Sequence, residues 1–359
     1  MCSLSSQGFF MPAEWHPHDC CWMGWPCRIK TWGERMYEAK LAYAEIAKAI
    51  NQFEPVKMTA RPEDAEEARK MCGTQIEIVP LPMDDSWTRD SGPTFIIDRK
   101  GKLAGIDWEF NQWGADYPDC EDDADFARAL LNHITVEHFK APFVLEGGSI
   151  HVDGDGTLMT TEQCLLHPNR NPELDQEEIE QLLREHLNVH NIIWLGEGLM
   201  DDETDGHVDN LACFIKPGAV MALISSDPED ENYDVLQDNL LRLKHAKDAR
   251  ERSLEIITVE QPEALWKEDE RLAQSYINFY LPNNGIVMPA FNDPVHDDQA
   301  RKIFEKVYPD RGIIQLNAQE IVMGGGGIHC ITQQQPKALV CLLYTSPSPR
   351  DKRQSRMPS

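Results

Sequence analysis

Apolar residues recur three and four positions apart in several segments of the chain, which is the spacing of one face of a helix. Segment 36–53, rich in Ala, Glu and Lys, is the clearest of them. The same pattern predicts further helices over 63–72, 172–188, 233–252 and 297–307. Asn171 is the candidate N-cap of the 172–188 helix, because an Asn side chain can accept a hydrogen bond from a first-turn N–H.

Between these helices, short apolar runs flank turns that contain Gly or Asn. This arrangement predicts four hairpins, with turns at 98–101, 153–156, 216–218 and 282–285. The residues that begin these units, and a fifth, recur at steps of 56, 58, 72 and 49 positions: Gly92, Gly148, Gly206, Asn278 and Gly327. A hairpin followed by a helix at this period indicates a closed ring of α/β units. The alternative is coincidence, because glycines commonly precede strands.

Composition narrows the class of protein. The 359 residues are 41% hydrophobic and 26% charged, as in a globular protein, and the net charge is −27. That charge disfavours nucleic acid and anionic membranes as partners and would attract a small cation, although it could serve solubility alone. No apolar run reaches about 18 residues, and the first residues lack the features of a secretory signal. We therefore expect a cytoplasmic protein whose ten cysteines are mostly free thiols.

The last residues differ from the rest of the chain. Segment 341–359 is rich in Ser and Pro, carries four basic residues and one acid, and has no periodicity. It looks like a translated sequencing adapter. We therefore expect a single catalytic domain over 1–340 and a non-native tail over 341–359.

Reactive side chains cluster where the predicted units begin. His207 and Asp209 alternate, which would place them on one face of a strand. Cys330 follows four consecutive glycines, which indicates a sharp bend or a close approach to a ligand, unless the loop is merely flexible. Asp90 lies before the first hairpin and Glu146 before the second. In a ring of units, these five residues would meet at the centre.

A cysteine beside a histidine is a nucleophile with its acid/base partner. Three nearby carboxylates would raise the pKa of the thiol, which suits a cationic substrate such as a guanidinium better than it suits a thiol protease. A papain-like protease would need the cysteine before the histidine in the chain. A metal site could use His207 and Asp209 with His151 or His329, but their spacing matches no common ligand motif. His329 adjoins the nucleophile in a predicted strand and should support the site rather than react.

Seven segments in this order resemble motifs of the agmatine deiminase family, within the guanidino-group modifying superfamily that has the pentein fold. The resemblance extends from about residue 11 to about residue 336. The segments that carry it are Met11–Trp15, Trp22–Pro26, Trp87–Pro93, Phe110–Gly114, Glu146–Ser149, Glu203–Asn210 and Gly324–Gln334.

The resemblance implies an α/β fold with five propeller blades around a central active site. It implies that Cys330 attacks the guanidinium carbon and forms an amidino-thioether. His207 would protonate the leaving amine and then activate water. Asp90 and Asp209 would hold the guanidinium nitrogens, with Glu146 near the same end.

The resemblance also assigns the substrate. Trp87 and Trp113 would wall the aliphatic chain of agmatine, and Glu203 would bind its distal ammonium. The products would be ammonia and N-carbamoylputrescine, a step of putrescine biosynthesis, with no metal or organic cofactor. We expect a homo-oligomer, dimeric or higher. The alternative activity is a peptidylarginine deiminase acting on peptide-bound arginine.

The chain departs from the family pattern in two places. Members commonly carry Asn at the position of Gly327, so the nucleophile loop could be looser in this chain. Gly and Lys are common at the positions of Ala115 and Asp116, so the charge at that rim differs.

Overall fold

The structure is a computed structural model that describes residues 3–114 and 120–338. Its strands within these ranges are β1 (Phe9–Phe10), β2 (His18–Gly24), β3 (Val56–Ala60), β4 (Glu77–Pro80), β5 (Thr94–Asp98), β6 (Leu103–Glu109), β7 (Glu137–Val144), β8 (His151–Val152), β9 (Thr157–Thr161), β10 (Asn191–Leu195), β11 (Ala212–Lys216), β12 (Ala219–Ile224), β13 (Glu255–Glu260), β14 (Trp266–Lys267), β15 (Glu270–Arg271), β16 (Gly285–Ala290), β17 (Gly312–Asn317) and β18 (Thr332–Pro336).

The α-helices in the same ranges are α1 (Ile29–Trp32), α2 (Met36–Ile50), α3 (Ala65–Cys72), α4 (Thr88–Ser91), α5 (Glu121–Ala124), α6 (Phe126–His133), α7 (Glu162–Leu165), α8 (Gln176–Leu187), α9 (Tyr233–His245), α10 (Pro294–Val307) and α11 (Gln319–Val322). Both Ala115–Asp116 and the predicted tail at 341–359 lie outside the described residues.

One motif recurs five times. A first strand pairs antiparallel with a central strand, a helix follows, and a last strand pairs parallel with the central one. Three units are complete: β5, β6, α6, β7; then β8, β9, α8, β10; then β11, β12, α9, β13. In the next unit, a single antiparallel bridge from Tyr280 to Val287 replaces the first strand, and β16, α10 and β17 follow.

The fifth unit joins the two ends of the chain. The late strand β18 pairs antiparallel with β2, which is followed by α2 and the parallel strands β3 and β4. The repeat therefore closes on itself, and the predicted ring of hairpin-plus-helix units is confirmed. Three of the four predicted hairpins form as antiparallel strand pairs, and the one with its turn at 282–285 is reduced to the single bridge from Tyr280 to Val287. The closed five-unit α/β propeller places the start of each first strand at the centre.

Helix α8 illustrates how the crossover helices form and pack. It buries Ile179, Leu183 and Leu187 one turn apart against the neighbouring sheet. Its N-cap is Asp175, whose side chain accepts a hydrogen bond from the Glu178 backbone N–H in a capping box. The predicted cap at Asn171 is wrong, because that side chain bonds both backbone groups of Val144 instead.

Other boundaries shift for local reasons. Helix α9 ends at His245 rather than near 252, because the backbone turns extended at Ala246 and the next residues form a turn. Helix α10 begins earlier than predicted, at Pro294, where the Asp293 side chain caps it. The helix α6 was missed. Residues 208–210 form a 3-10 turn rather than the predicted strand, so the alternation argument for His207 and Asp209 is wrong.

Short helical turns precede the first strands and meet one another. Helix α4 contacts both the 3-10 turn Gly147–Ser149 and strand β18, and that 3-10 turn contacts the turn Val208–Asn210. The eight described cysteines are all buried and free, as expected. No helix within residues 3–114 and 120–338 is long and apolar enough to cross a membrane.

Candidate active site

Gly148 marks the point where the predicted reactive residues converge. A Cβ placed on this glycine would lie 2.6 Å from Nδ1 of His207, 2.9 Å from Oδ1 of Asp90 and 3.0 Å from Oδ2 of Asp209. Its backbone N–H donates a 2.9 Å hydrogen bond to Asp90. Only glycine leaves room for this backbone among three reactive side chains, so the ring brings together residues from three different units.

Cys330 completes this cluster from a fourth unit. Its sulfur lies 3.6 Å from Oδ2 of Asp209, and only 4% of the residue is exposed. Burial, followed by the charges of Asp209 and Asp90, raises the pKa of the Cys330 thiol well above its usual value. The substrate-free site therefore favours the thiol, and a cation bound between the carboxylates would favour the thiolate.

His207 is fully buried between carboxylates. Nδ1 lies 3.8 Å from Asp90, and Nε2 lies 3.9 Å from Oε2 of Glu146. Neither ring nitrogen has a hydrogen-bond partner among the described residues. Burial lowers the pKa of His207, but Asp90, Cys164 and Glu146 outweigh it and raise the pKa well above its usual value. The ring therefore enters the reaction as an imidazolium that can give up a proton.

Asp209 is held in its ionised form by His329. Burial alone would raise its pKa, but the hydrogen bond and charge of His329 lower it below the usual value. Asp90 behaves differently, because burial raises its pKa and the nearby Asp209 and Glu146 add to that effect. Oδ1 of Asp209 has no hydrogen-bond partner among the described residues, so it is free to accept one from a ligand.

A buried ion pair supports the other side of His207. Nε of Arg170 donates a 2.6 Å hydrogen bond to Oε1 of Glu146, and both side chains are fully buried. Burial opposes ionisation of Glu146, but His207 and Arg170 lower its pKa below the usual value. A charged Glu146 therefore stays beside the imidazole, with Oε2 directed to Nε2.

Two tryptophans flank the cavity that leads to Cys330. Trp87 stacks on Trp32 with ring centroids 5.7 Å apart, and its Nε1 donates to Asp85. Nε1 of Trp113 donates a 2.9 Å hydrogen bond to Oδ2 of Asp90. The cavity is lined by Trp87, Asp90, Trp113, Glu203, Thr204, Gly324, Gly325, Gly326 and Cys330. An alkyl chain that reached the sulfur would therefore pass between two indole rings.

Glu203 lies at the outer end of this cavity and is exposed. The same residue also lines a wider depression outside, which contains Lys267. Gly325 adopts a φ of +107°, and a Cβ there would lie 3.2 Å from Oε2 of Glu203. A left-handed glycine thus lets the nucleophile loop pass close to this carboxylate.

The glycine run before Cys330 is closely packed. A Cβ at Gly326 would lie 2.5 Å from the Trp87 ring, and one at Gly327 would lie 2.2 Å from Oδ1 of Asn278. Position 327 therefore has no space for a side chain unless Asn278 moves. Close packing against Trp87 and Asn278 therefore explains these glycines better than a flexible loop does.

All eight residues proposed from the sequence lie in or beside this one cavity: Trp87, Asp90, Trp113, Glu146, Glu203, His207, Asp209 and Cys330. Two residues that support the site were not predicted from the sequence. Glu14 bonds His329, and Arg170 bonds Glu146. Asn278 was predicted only as a unit start. Asn278 could have been found as a site residue, because it begins its unit as Gly148 and Gly327 begin theirs.

Potential metal ligands group in two places within residues 3–114 and 120–338. One group is Glu146, Cys164 and His207, all buried, and the other is Glu263, Asp293 and His296 near the surface. Of the ligands considered from the sequence, the first group includes His207, and neither group includes Asp209, His151 or His329. His329 instead bonds Asp209 and Glu14, which fits the supporting role expected for it.

A family model and several known proteins match most of this chain. Residues 10–336 match the model of the family described as Porphyromonas-type peptidyl-arginine deiminase. A relative from Legionella pneumophila is 53% identical over 333 residues, covering 92% of this chain and 96% of the relative. The agmatine deiminase of Stutzerimonas stutzeri is 45% identical, covering 93% of this chain and 97% of that protein.

A solved structure has the same fold. The structure of the agmatine deiminase of Enterococcus faecalis superimposes with a TM-score of 0.91 at 36% identity. The match covers 94% of this chain and 99% of that one. The five-unit ring described above is therefore the pentein propeller expected from the sequence.

Proposed function

The chain belongs to the Porphyromonas-type peptidyl-arginine deiminase family, and from that premise we propose that it hydrolyses agmatine to N-carbamoylputrescine and ammonia. The observation that carries this proposal is the convergence of His207, Asp90 and Asp209 on Gly148, with the Cys330 sulfur beside Asp209. A thiol among carboxylates is poorly suited to a neutral substrate and well suited to a guanidinium. Agmatine deiminases among the curated relatives support the choice of guanidinium.

The first half of the reaction forms a covalent intermediate. The guanidinium nitrogens bind Asp90 and Asp209, and their positive charge lowers the pKa of the Cys330 thiol, which loses its proton to solvent and becomes a thiolate. The sulfur then attacks the guanidinium carbon, which forms an S–C bond. The bond from that carbon to one terminal nitrogen breaks, and His207 gives that nitrogen its proton so that it leaves as ammonia.

The second half regenerates the thiol group. His207, now neutral, accepts a proton from water, and the resulting hydroxide attacks the amidino carbon. The S–C bond breaks and returns the electron pair to Cys330, and the thiolate takes up the proton that the hydroxyl group loses as the urea carbonyl forms. The product is N-carbamoylputrescine, and one water has been consumed for each ammonia released. Glu146 stabilises the imidazolium in both halves, since it stays ionised beside the ring.

The outer end of the cavity distinguishes substrates by their length and their distal group. Trp87 and Trp113 cover the methylene chain, and Glu203 accepts the distal ammonium of agmatine. Free arginine would bring a carboxylate toward Glu203, which costs electrostatic repulsion. The net charge of −27 adds a general attraction for a dication.

Peptide-bound arginine is the second candidate substrate, since the family description names it. The wider depression outside the cavity carries charges of both signs, with Arg28, Lys30 and Lys267 facing Asp85 and Asp123. Ammonia release from agmatine, arginine and a peptide ending in arginine distinguishes the candidates. We expect the highest kcat/KM with agmatine. Faster turnover of the peptide would contradict the assignment.

We also propose that residues 1–340 form a single catalytic domain that works in the cytoplasm, in putrescine biosynthesis, as a homo-oligomer. Pairing of β2 with β18 supports one domain, because both ends of the ring are needed to complete one sheet. Tyr37 and Leu41, one turn apart on α2, are exposed and offer an apolar contact for a second copy. Sedimentation of the purified protein tests the oligomer, and a monomer at micromolar concentration would contradict it.

A further inference from the structure

Asn278 lies at the start of its unit, beside the nucleophile. Only 2% of the residue is exposed. Its Nδ2 lies 3.2 Å from the Cys330 sulfur, within the distance of a hydrogen bond to sulfur. The proposed mechanism gives this amide no role. Among the hydrogen bonds of the described residues, however, it makes the shortest contact with the Cys330 sulfur.

The orientation of the Asn278 amide follows from its other partners. The backbone N–H of His329 donates a 2.8 Å hydrogen bond to Oδ1, and a backbone N–H can only donate. On the opposite side, Nδ2 donates to Oδ1 of Asn210 at 3.0 Å, and Asn210 in turn donates to Asp202. Reversing the amide would place two donors against each other at one end and two acceptors at the other. Nδ2 is therefore the amide atom nearer to the sulfur, at 3.2 Å, while Oδ1 lies 3.6 Å from it.

We propose that Asn278 is a positioning residue that holds the Cys330 side chain and donates a hydrogen bond to its thiolate. The proposal rests on the proposed function, in which Cys330 is the nucleophile. The sulfur faces Asp209 at 3.6 Å and has Asp90 nearby, so it needs a donor to offset two negative charges. A donor bonded to an ionised sulfur is stronger than one bonded to a neutral thiol.

The amide suits this site because it is uncharged. A lysine or arginine at position 278 would stabilise the thiolate more strongly, but it would also repel the guanidinium that must bind beside it. An amide supplies a fixed dipole without a competing cation. The backbone N–H of Gly327 acts in the same direction on the pKa of the thiol. This role of Asn278 also explains the glycine at position 327, because a Cβ there would displace the Asn278 amide.

The test measures how readily Cys330 is alkylated by iodoacetamide as a function of pH, with the modified peptide quantified by mass spectrometry. In Asn278→Ala, we expect the pH midpoint of alkylation to rise and the rate at pH 8 to fall about tenfold. With agmatine, kcat should fall by a similar factor while KM stays within about twofold. Asn278→Asp places an acceptor against the sulfur and should slow alkylation further than Asn278→Ala does.

Asn239→Ala is the matched control. Asn239 is also a buried amide that bonds backbone groups, but it lies between Gly196 and Glu197, away from the sulfur. It should lose comparable stability and leave the alkylation midpoint unchanged. An unchanged midpoint in both Asn278 variants, with near-ultraviolet circular dichroism like that of the parent, would overturn the proposal.

Alkylation needs no agmatine, so the two proposals can fail separately. If the parent enzyme does not turn over agmatine but its alkylation midpoint still depends on Asn278, the substrate assignment fails and the role of Asn278 stands. If turnover is normal and the midpoint does not respond, only the role of Asn278 fails.

Discussion

Nδ1 of His329 donates a 2.9 Å hydrogen bond to Oδ2 of Asp209, the same oxygen that lies 3.6 Å from the Cys330 sulfur. Nε2 of the ring donates to Glu14 at 2.7 Å. Both ring nitrogens therefore face carboxylates, and although burial lowers the pKa of His329, these partners raise it above its usual value. The nucleophile thus lies beside a carboxylate whose charge is fixed by a buried imidazolium.

This arrangement predicts how stability depends on pH. His329 has a raised pKa in the folded state, so its contribution is complete below about pH 6.5, the unfolded pKa, and is lost as pH rises through the folded pKa. The gap in unfolding free energy between the parent and His329→Gln should therefore narrow between mildly acidic and alkaline pH. Urea unfolding at pH 6 and pH 9 measures it. His133→Gln, at an exposed position, should show no such change, and a pH-independent gap for His329→Gln would count against the imidazolium.

Removal of Arg170 is expected to destabilise the fold more than removal of a surface arginine. It is fully buried and bonds Glu146, Asp205 and the carbonyl of Thr204. Arg170→Met would leave Glu146 buried without its cation, which should lower the unfolding free energy by about 3–5 kcal/mol. Arg242→Met, which removes two partly exposed ion pairs, with Asp238 and Glu162, should cost less than about 1 kcal/mol. Equal costs for the two variants would show that the Arg170 pair contributes no more than a surface pair.

The repeat of the fold could be predicted, because a hairpin followed by a helix leaves a local signature in each unit. The sequence predicted a closed ring of units, but it could not show which strands close that ring. The pairing of β18 with β2 joins residues some three hundred positions apart, and no local pattern reports it. Helix α6 was missed although it is as long as the predicted α3, because no proline or glycine marks its ends as Pro62 and Gly73 mark those of α3.

In the site, too, residues with a local sequence signature could be predicted and residues that depend on tertiary packing could not. His207, Asp209 and Cys330 were visible because they recur at unit starts with glycine. Glu14 and Arg170 lie away from the unit starts, and their partners are set by tertiary packing alone. The strand alternation used to pair His207 with Asp209 was wrong, yet the two residues meet because a 3-10 turn brings both to Gly148.

Glu203 is expected to recognise the distal ammonium of the substrate. Because this carboxylate is exposed, Glu203→Gln should raise KM for agmatine by up to about fivefold at low salt, with little change in kcat. KM for butylguanidine, which lacks the ammonium, should not change. Glu270→Gln, on the neighbouring β15, is the control for a general loss of negative charge. An equal rise in KM for both substrates would remove Glu203 from ammonium binding.

Asp209 is expected to hold the guanidinium directly. With Cys330→Ala as the background, so that no turnover occurs, Asp209→Asn should weaken agmatine binding by about 2–5 kcal/mol, because a buried charge loses its partner. Isothermal titration calorimetry measures the difference. Asp298→Asn, at an exposed position on α10, should leave the affinity unchanged. Unchanged affinity in Asp209→Asn would place the guanidinium elsewhere.

Covalent catalysis by Cys330 is the central claim, and trapping the intermediate tests it most directly. Acid quenching of the enzyme during turnover of agmatine, followed by peptide mass spectrometry, should find Cys330 carrying the mass of agmatine less one ammonia. Cys330→Ala should bind agmatine and release no ammonia. Ammonia release by Cys330→Ala at more than about a hundredth of the parent rate, a difference of about 2.7 kcal/mol in barrier, would contradict the covalent mechanism.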